Sequence, residues 1–354
     1  MAPTIPYNVE MPNENRPIIV IGAGGIVKDA HLPAYQKAGF EVFGIVDIDF
    51  FKAEGLALQF GIANVFSSVV EAVREAPAQV IFDIAIMPDQ YLAVLNQLPD
   101  FASVLIQKPL GETKKQTSEI FNLCKTKQLT TAANFQLRFA PFVQTARNMI
   151  VSGLIGEIYD MEIRLTTHTP WGIFPGIVEK ERLEILYHSI HYLDLIRYFL
   201  GEPHQITAKS FGHPLKAFSS TRSTILLDYG KNIRALINTN HDHEFGAENQ
   251  ESFIKWEGTK GAIKVKMGVL LDYPFGAADK FEYCITSVNQ KPEWKTLVLD
   301  ETWFPDAFIG IMSQFMRFLE GSDHGLVTGI DDAMKTMDLV EAAYESNKND
   351  DWNK

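Results

Sequence analysis

The chain has 354 residues, enough for more than one hydrophobic core, and its 46% apolar and 21% charged content excludes wholesale disorder. Its 44 acidic residues outnumber 32 basic ones, a formal charge of −12 with no dense Lys/Arg stripe, which argues against nucleic-acid binding. With only Cys124 and Cys284 there is no disulfide framework and no four-thiolate zinc site, and no stretch reaches the ~18–20 apolar residues of a membrane span. These features predict a soluble cytoplasmic protein without membrane partners.

Residues 1–16 are polar, contain three prolines and read as an N-terminal extension that either frays or wraps a neighbouring domain. From Pro17 strands alternate with helices. Ile18–Ile21 is a short apolar run ending in glycines, the mark of a buried parallel strand. A helical stretch runs through Ala38, followed by a strand at Glu41–Asp47, a helix at Phe51–Phe60, a strand at Asn64–Phe66 and a helix near Val69–Glu75. Val80–Ile86 and Ser103–Ile106 are further strands, and a helix at Thr117–Lys127 with a strand at Thr130–Asn134 completes the series. This rhythm predicts an α/β fold, with a doubly wound parallel sheet over 17–137.

The pattern changes over 138–354. A helix at Pro141–Ser152 leads to a strand near Ile158–Thr167 and a long apolar helix from about Arg182 to Leu200. Period-two segments follow at Thr224–Asp228, Asn232–Asn238, Ser252–Trp256, Ala262–Lys266, Lys280–Ser287 and Trp294–Leu299, which predict an antiparallel sheet. Helices at about Asp306–Glu320 and Ile330–Ser346 close the chain.

Chemistry concentrates at four places. Gly22-Ala23-Gly24-Gly25-Ile26-Val27 joins a strand to a helix, where glycines admit a pyrophosphate and the helix start supplies N–H donors. Asp47 ends the second strand, 25 residues after Gly22, where a carboxylate accepts from a ribose diol and repels a 2′-phosphate; NAD is favoured over NADP. Gln107-Lys108-Pro109 follows the fifth strand, so Lys108 is either a surface lysine or a group aimed into the crevice beyond the strand ends. On the apolar helix, Tyr187, His191, Asp194 and Tyr198 recur at helical spacing, with His188 and Arg197 off the stripe. They form either a proton relay in which Asp194 orients His191, or a buried polar pair. Trp171 either packs under a loop or walls a pocket, and His31 serves either capping and packing or the cofactor. His241-Asp242-His243-Glu244 lacks a further ligand for a metal and reads as a solvated strand end or pocket rim.

In order along the chain, the Gly-rich turn with Ala30-His31-Leu32-Pro33-Ala34, Lys108-Pro109-Leu110, Arg138-Phe139-Ala140-Pro141, Ser152–Gly156, His191-x-x-Asp194, Gly258–Gly261 and Gly329–Ala333 resemble the glucose–fructose oxidoreductase / inositol dehydrogenase / rhizopine catabolism family. The resemblance runs from about Pro17 to Ser346. It implies a Rossmann domain, then an α/β domain with a large, mainly antiparallel sheet that serves as a homodimer or homotetramer interface. It also implies that Lys108 and His191 work at the reacting carbon. The expected cofactor set is Gly22, Gly24, Gly25, Ile26, Asp47, Pro88, Gln107 and Lys108. The expected substrate set is Lys108, Trp171, Tyr187, His188 and His191, with Lys108, His191, Tyr187 and Asp194 catalytic and no metal. Gln107 stands where the family usually has Glu, and Tyr187 where it commonly has Asp. The usual Gly-rich run before the helix is replaced by Glu181–Glu184. The implied activity is NAD(P)-dependent hydride transfer at a carbinol carbon of a sugar, polyol or derivative. The alternatives are a tightly NAD-bound lyase or glycosidase-type enzyme, or a non-catalytic dinucleotide-binding sensor.

Overall fold

Four consecutive fully or nearly fully buried residues, Ile18–Ile21, form the strand around which the first sheet is built. The structure is a computed structural model and describes residues 9–348 except 174, 274, 288 and 290. In chain order the first elements are β1 (Ile18–Ile21), α1 (Leu32–Ala38), β2 (Val42–Val46), α2 (Phe50–Phe60), β3 (Asn64–Phe66), α3 (Val69–Glu75), β4 (Ile81–Ile84), α4 (Tyr91–Gln97), β5 (Ser103–Ile106), α5 (Lys114–Thr126) and β6 (Thr130–Ala133). Next come α6 (Pro141–Val151), β7 (Ile158–Thr166), the short α7 (Pro175–Val178), α8 (Ile190–Leu200), β8 (Gln205–Phe211), β9 (Arg222–Asp228), β10 (Arg234–Asn240), β11 (Glu251–Gly258), β12 (Gly261–Lys266), β13 (Lys280–Ile285) and β14 (Lys295–Leu297). Helices α9 (Asp306–Leu319) and α10 (Ile330–Lys348) end the chain.

The first compact unit is Asn8–Phe139 together with Phe304–Met337. Its six strands lie in the order β3-β2-β1-β4-β5-β6, all pairs parallel. The order reverses between β1 and β4, so a crevice opens beyond their carboxyl ends, where ligands bind in such sheets. The compact units do not follow the division at 137 and 138. Phe308, Met312 and Phe315 of α9 join the core of β1, α1 and α2, because α9 is apolar on the face it turns to them. Nor do residues 9–16 fray. Val9 packs on that core, Glu320 accepts the backbone N–H groups of Asn13 (3.0 Å) and Glu14 (3.1 Å), and Arg16 donates to the Leu319 carbonyl at 2.9 Å. The remaining residues of the expected extension, 1–8, lie outside the described ones.

The second unit comprises Ala140–Trp303 and the residues from Asp338 onward. Its eight strands lie in the order β14-β13-β12-β11-β7-β10-β9-β8, antiparallel except for the β7–β10 pair. Alternation along β9 to β12 buries Ile225, Leu227, Ala235, Ile237, Ile254, Trp256, Ile263 and Val265 on one face, as period two requires. The long helix expected from Arg182 begins instead with a π turn, Ile185–Ser189, before α8. A π turn spaces residues more widely than an α turn, so Tyr187 precedes His191 without regular α-helical stacking.

Candidate functional site

In the first unit the Gly-rich turn occupies the crevice between β1 and β4. Gly22 has φ +115° and sits against the Ala85 carbonyl, so a side chain there meets both strain and collision. Gly24 and Gly25 are exposed, and a Cβ on Gly24 meets nothing within 4 Å. The Gly24 carbonyl accepts the Val27 and Lys28 N–H groups, each at 3.1 Å, which starts the helical segment; Val27–His31 is itself a π turn. Asp47 ties the turn down, its Oδ2 accepting the Ala23 N–H at 2.6 Å and its Oδ1 the Asp49 N–H at 2.8 Å. The open backbone at Gly24, the helix start and the carboxylate of Asp47 fit a dinucleotide. Pro88 is buried after β4, with its carbonyl accepting from Gln116 at 3.0 Å.

Gln107 is explained by its surroundings. His31 is fully buried; its Nδ1–H donates to Asp83 at 2.6 Å, and the Tyr35 hydroxyl donates to the same carboxylate oxygen at 2.7 Å. The amide nitrogens of Gln107 and Asn134 both lie 3.3 Å from His31 Nε2. The Gln107 side-chain carbonyl in turn accepts the Lys108 N–H at 2.9 Å. A chain of polar groups thus runs from the buried Asp83, His31 and Gln107 to the backbone N–H of Lys108. His31 belongs to it as a structural partner, a role the sequence left open. Lys108 follows β5, is half-buried, and burial lowers its ammonium pKa to about 8. The Lys108–Pro109 peptide is cis.

In the second unit Tyr187 is buried in the π turn, while His188 and His191 are half-buried. His191 meets the Trp303 ring edge-on at 6.4 Å between centroids. Asp194 is buried three residues further on, and Arg197 is ion-paired to Glu202 at 2.6 Å. Tyr198, last of the stripe, receives the Gln144 amide at 3.3 Å and lies under Arg147. Trp171 is buried with its ring edge-on to His188 at 5.2 Å.

The His241–Glu244 stretch corrects the sequence reading. His243 is half-buried and Glu244 exposed, but His241 and Asp242 are buried. Asp242 accepts from the Thr221 hydroxyl and pairs with Lys216 at 3.1 Å. His241 turns inward to Thr169, 2.9 Å from its Nδ1, and to the fully buried Glu184. Sequence reasoning passed over Glu184. Its signal was a single carboxylate inside the apolar run Leu183-Glu184-Ile185-Leu186, where a charge survives only with partners.

Comparison with known proteins agrees with this architecture. The D-glucoside 3-dehydrogenase of Escherichia coli is 26% identical over 339 residues, 93% of this chain and 94% of that protein. The D-apiose dehydrogenase of Rhizobium rhizogenes is 24% identical over 73% of this chain and 72% of its own. The fold matches an oxidoreductase from Agrobacterium radiobacter, solved with NAD+, L-tartaric acid and magnesium, at a TM-score of 0.78 and 21% identity over 95% of this chain and 97% of that one. Residues 17–135 match the oxidoreductase family with an NAD-binding Rossmann fold, and residues 143–264 match the GFO/IDH/MocA C-terminal domain. With both of that family's domains present in order, the chain belongs to the Gfo/Idh/MocA oxidoreductases and carries their NAD-binding Rossmann domain.

Proposed function

We infer that this protein is an NAD(P)-dependent dehydrogenase or reductase that acts on a carbinol carbon of a sugar, polyol or derivative. The observation that carries the reading is Lys108: an amine with its pKa lowered to about 8, anchored through Gln107, in a unit whose open Gly-rich turn fits a dinucleotide. The sugar dehydrogenases among its relatives support the substrate class. When bound, nicotinamide supplies the site that accepts or donates hydride.

The residues divide the remaining work. Gly22, Gly24, Gly25 and Ile26 present backbone to the pyrophosphate, Asp47 accepts from the ribose hydroxyls and favours NAD over NADP, and Pro88 and Gln107 border the nicotinamide side. Lys108 holds the substrate oxygen as a donor and eases loss of its proton, since burial lowers its pKa to about 8. His191 exchanges that proton at its imidazole, with Asp194 orienting it on the next turn. Tyr187 shares the relay, and His188 and Trp171 wall the substrate. The protein works in the cytoplasm as a homodimer or homotetramer through the outer face of the eight-stranded sheet. Nicotinamide absorbance across a panel of sugars and polyols with NAD and NADP tests the activity; no turnover with any of them removes it. Light scattering during size-exclusion chromatography tests the assembly.

A further inference from the structure

Past the carboxyl ends of β4 and β5, the sheet ladder of the first unit runs out one residue before Lys108. The two strands pair in parallel, with Ile84 beside Ile106. The Gln107 N–H still donates to the Ile84 carbonyl at 2.9 Å, and the Asn134 N–H to the Ile106 carbonyl at 2.7 Å. The next carbonyl, that of Gln107, takes a side-chain donor instead: the Tyr91 hydroxyl, 2.5 Å away. Tyr91 and Gln107 are both buried, where an unmade hydrogen bond is costly to either group. Burial, with the charge of Asp83, raises the Tyr91 phenol far above its ordinary value, so it stays protonated and keeps donating.

The same peptide group is bonded at its other end. The Gln107 carbonyl shares its plane with the Lys108 N–H, and that N–H donates to the Gln107 side-chain carbonyl at 2.9 Å. Turning the plane therefore breaks a bond on each side. Pro109 biases Lys108 toward extended backbone, so the Cβ that carries the amine starts from a set point and direction. This matters for a lysine, whose flexible four-carbon stem otherwise spreads the amine over a wide volume. Tyr91 reaches the other way as well. It is the first residue of α4, and its backbone N–H donates to the Pro88 carbonyl, which also takes the Gln116 amide at 3.0 Å. One residue thus joins the segment that follows β4 to the segment that follows β5, both at the carboxyl ends where ligands bind in such sheets.

We propose that Tyr91 is a positioning residue for Lys108: its hydroxyl, together with the Gln107 side chain, clamps the Gln107–Lys108 peptide and so sets where the Lys108 amine stands relative to the Pro88 segment. The proposal rests on the reading of Lys108 as the amine that holds the substrate oxygen, and its first test is made without turnover.

Competitive labelling of the full chain with trace acetic anhydride across neutral to alkaline pH, read by mass spectrometry of the peptide that holds Lys108, gives the titration of that amine. The wild-type midpoint is expected at about 8. Tyr91→Phe keeps the buried ring and loses only the donor. The loosened stem then reaches water, and the midpoint should rise by about one pH unit toward the ordinary 10.5. Gln107→Met frees the N–H of the same peptide and should move the midpoint the same way. Tyr229→Phe removes a phenol-to-carbonyl bond in the second unit, to Gly201 at 3.0 Å, and should leave the midpoint in place. In turnover, Tyr91→Phe should lower kcat about 10- to 100-fold, more than it raises KM, with NAD affinity kept. A midpoint unmoved in Tyr91→Phe, with only the melting temperature lowered, makes the hydroxyl a structural bond and overturns the proposal. So does an equal shift in Tyr229→Phe. If Tyr91→Phe does not fold, an unmoved midpoint in Gln107→Met overturns it instead. If the midpoint moves while no sugar is oxidised by the wild type, the dehydrogenase reading fails and the clamp stands.

Discussion

The side-chain carbonyl of Gln107 accepts the backbone N–H of Lys108 at 2.9 Å, so the residue before the lysine holds the peptide from which the amine projects. The other end of the same amide faces His31 Nε2. Gln107→Glu keeps the first contact and brings a carboxylate to the residue before Lys108. An opposite charge favours the ammonium form, so the Lys108 pKa should rise from about 8. The limb of the pH–rate profile set by Lys108 is expected at higher pH, and an unmoved limb means that another group titrates there.

Burial of the Lys108 amine also links stability to pH. Its pKa is about 8 in the folded chain against the ordinary 10.5, so between those values the unfolded chain binds more protons and stability rises with pH. Lys108→Met removes the buried charge. Its melting temperature is expected above that of the wild type at pH 7, with the gap closing as pH rises from about 8 toward 10.5. A gap that is constant with pH contradicts the burial of this amine.

Two neighbouring glycines should respond differently. Gly24→Val places its side chain in open space, so the melting temperature should hold while NAD binding is lost. Gly22→Ala forces a side chain to φ +115° against the Ala85 carbonyl and should cost folding stability, on the order of 1–3 kcal/mol from backbone strain alone. Calorimetric unfolding together with NAD titration separates the two, and NAD affinity preserved in Gly24→Val places the phosphate cradle elsewhere.

Asp47→Ala removes the acceptor of two backbone N–H groups as well as the ribose reader. NAD affinity should fall by about 1–3 kcal/mol and NADP affinity by less, because a repulsive carboxylate has gone. Equal losses for both cofactors would show that Asp47 only braces the turn.

Lys108→Ala and His191→Ala should each lower turnover by roughly two to four orders of magnitude, with much smaller changes in NAD affinity. Tyr187→Phe discriminates a relay from a wall: loss of turnover with a shifted pH profile assigns the hydroxyl to the relay, and near-normal kinetics assign it to shape. The double variant with His191 is needed because groups acting as a unit are not additive. Full activity in His191→Ala would sink the proton-transfer role given to that residue.

How far the sequence could be read varied with the physics of each segment. The parallel strands were legible because apolar runs such as Ile18–Ile21 end in turn residues. β8 was not, since on this edge strand only Ala208 is buried and no alternation shows. α4 also escaped, a seven-residue helix whose Tyr91-Leu92-Ala93-Val94-Leu95 run does not distinguish helix from strand. The expected site residues Lys108, Asp47 and His191 stood out through their positions after strands or on an apolar helix. Buried pairs formed across the fold did not. Asp83 with His31, and Glu184 with His241, lie 52 and 57 residues apart in sequence, and only the tertiary fold joins them.

The return of α9 to the first unit bears on how the chain comes off the ribosome. Phe308, Met312 and Phe315 complete the core around β1 and α1, yet roughly 160 residues separate Phe139 from Phe304, on the order of 10–30 s of synthesis. Until then the nucleotide-binding sheet has an uncovered apolar side. Nascent chains that stall or are cut before residue 304 therefore present that side to chaperones, proteases and one another, and a fragment ending at Phe139 is a poor choice for isolating the NAD-binding half.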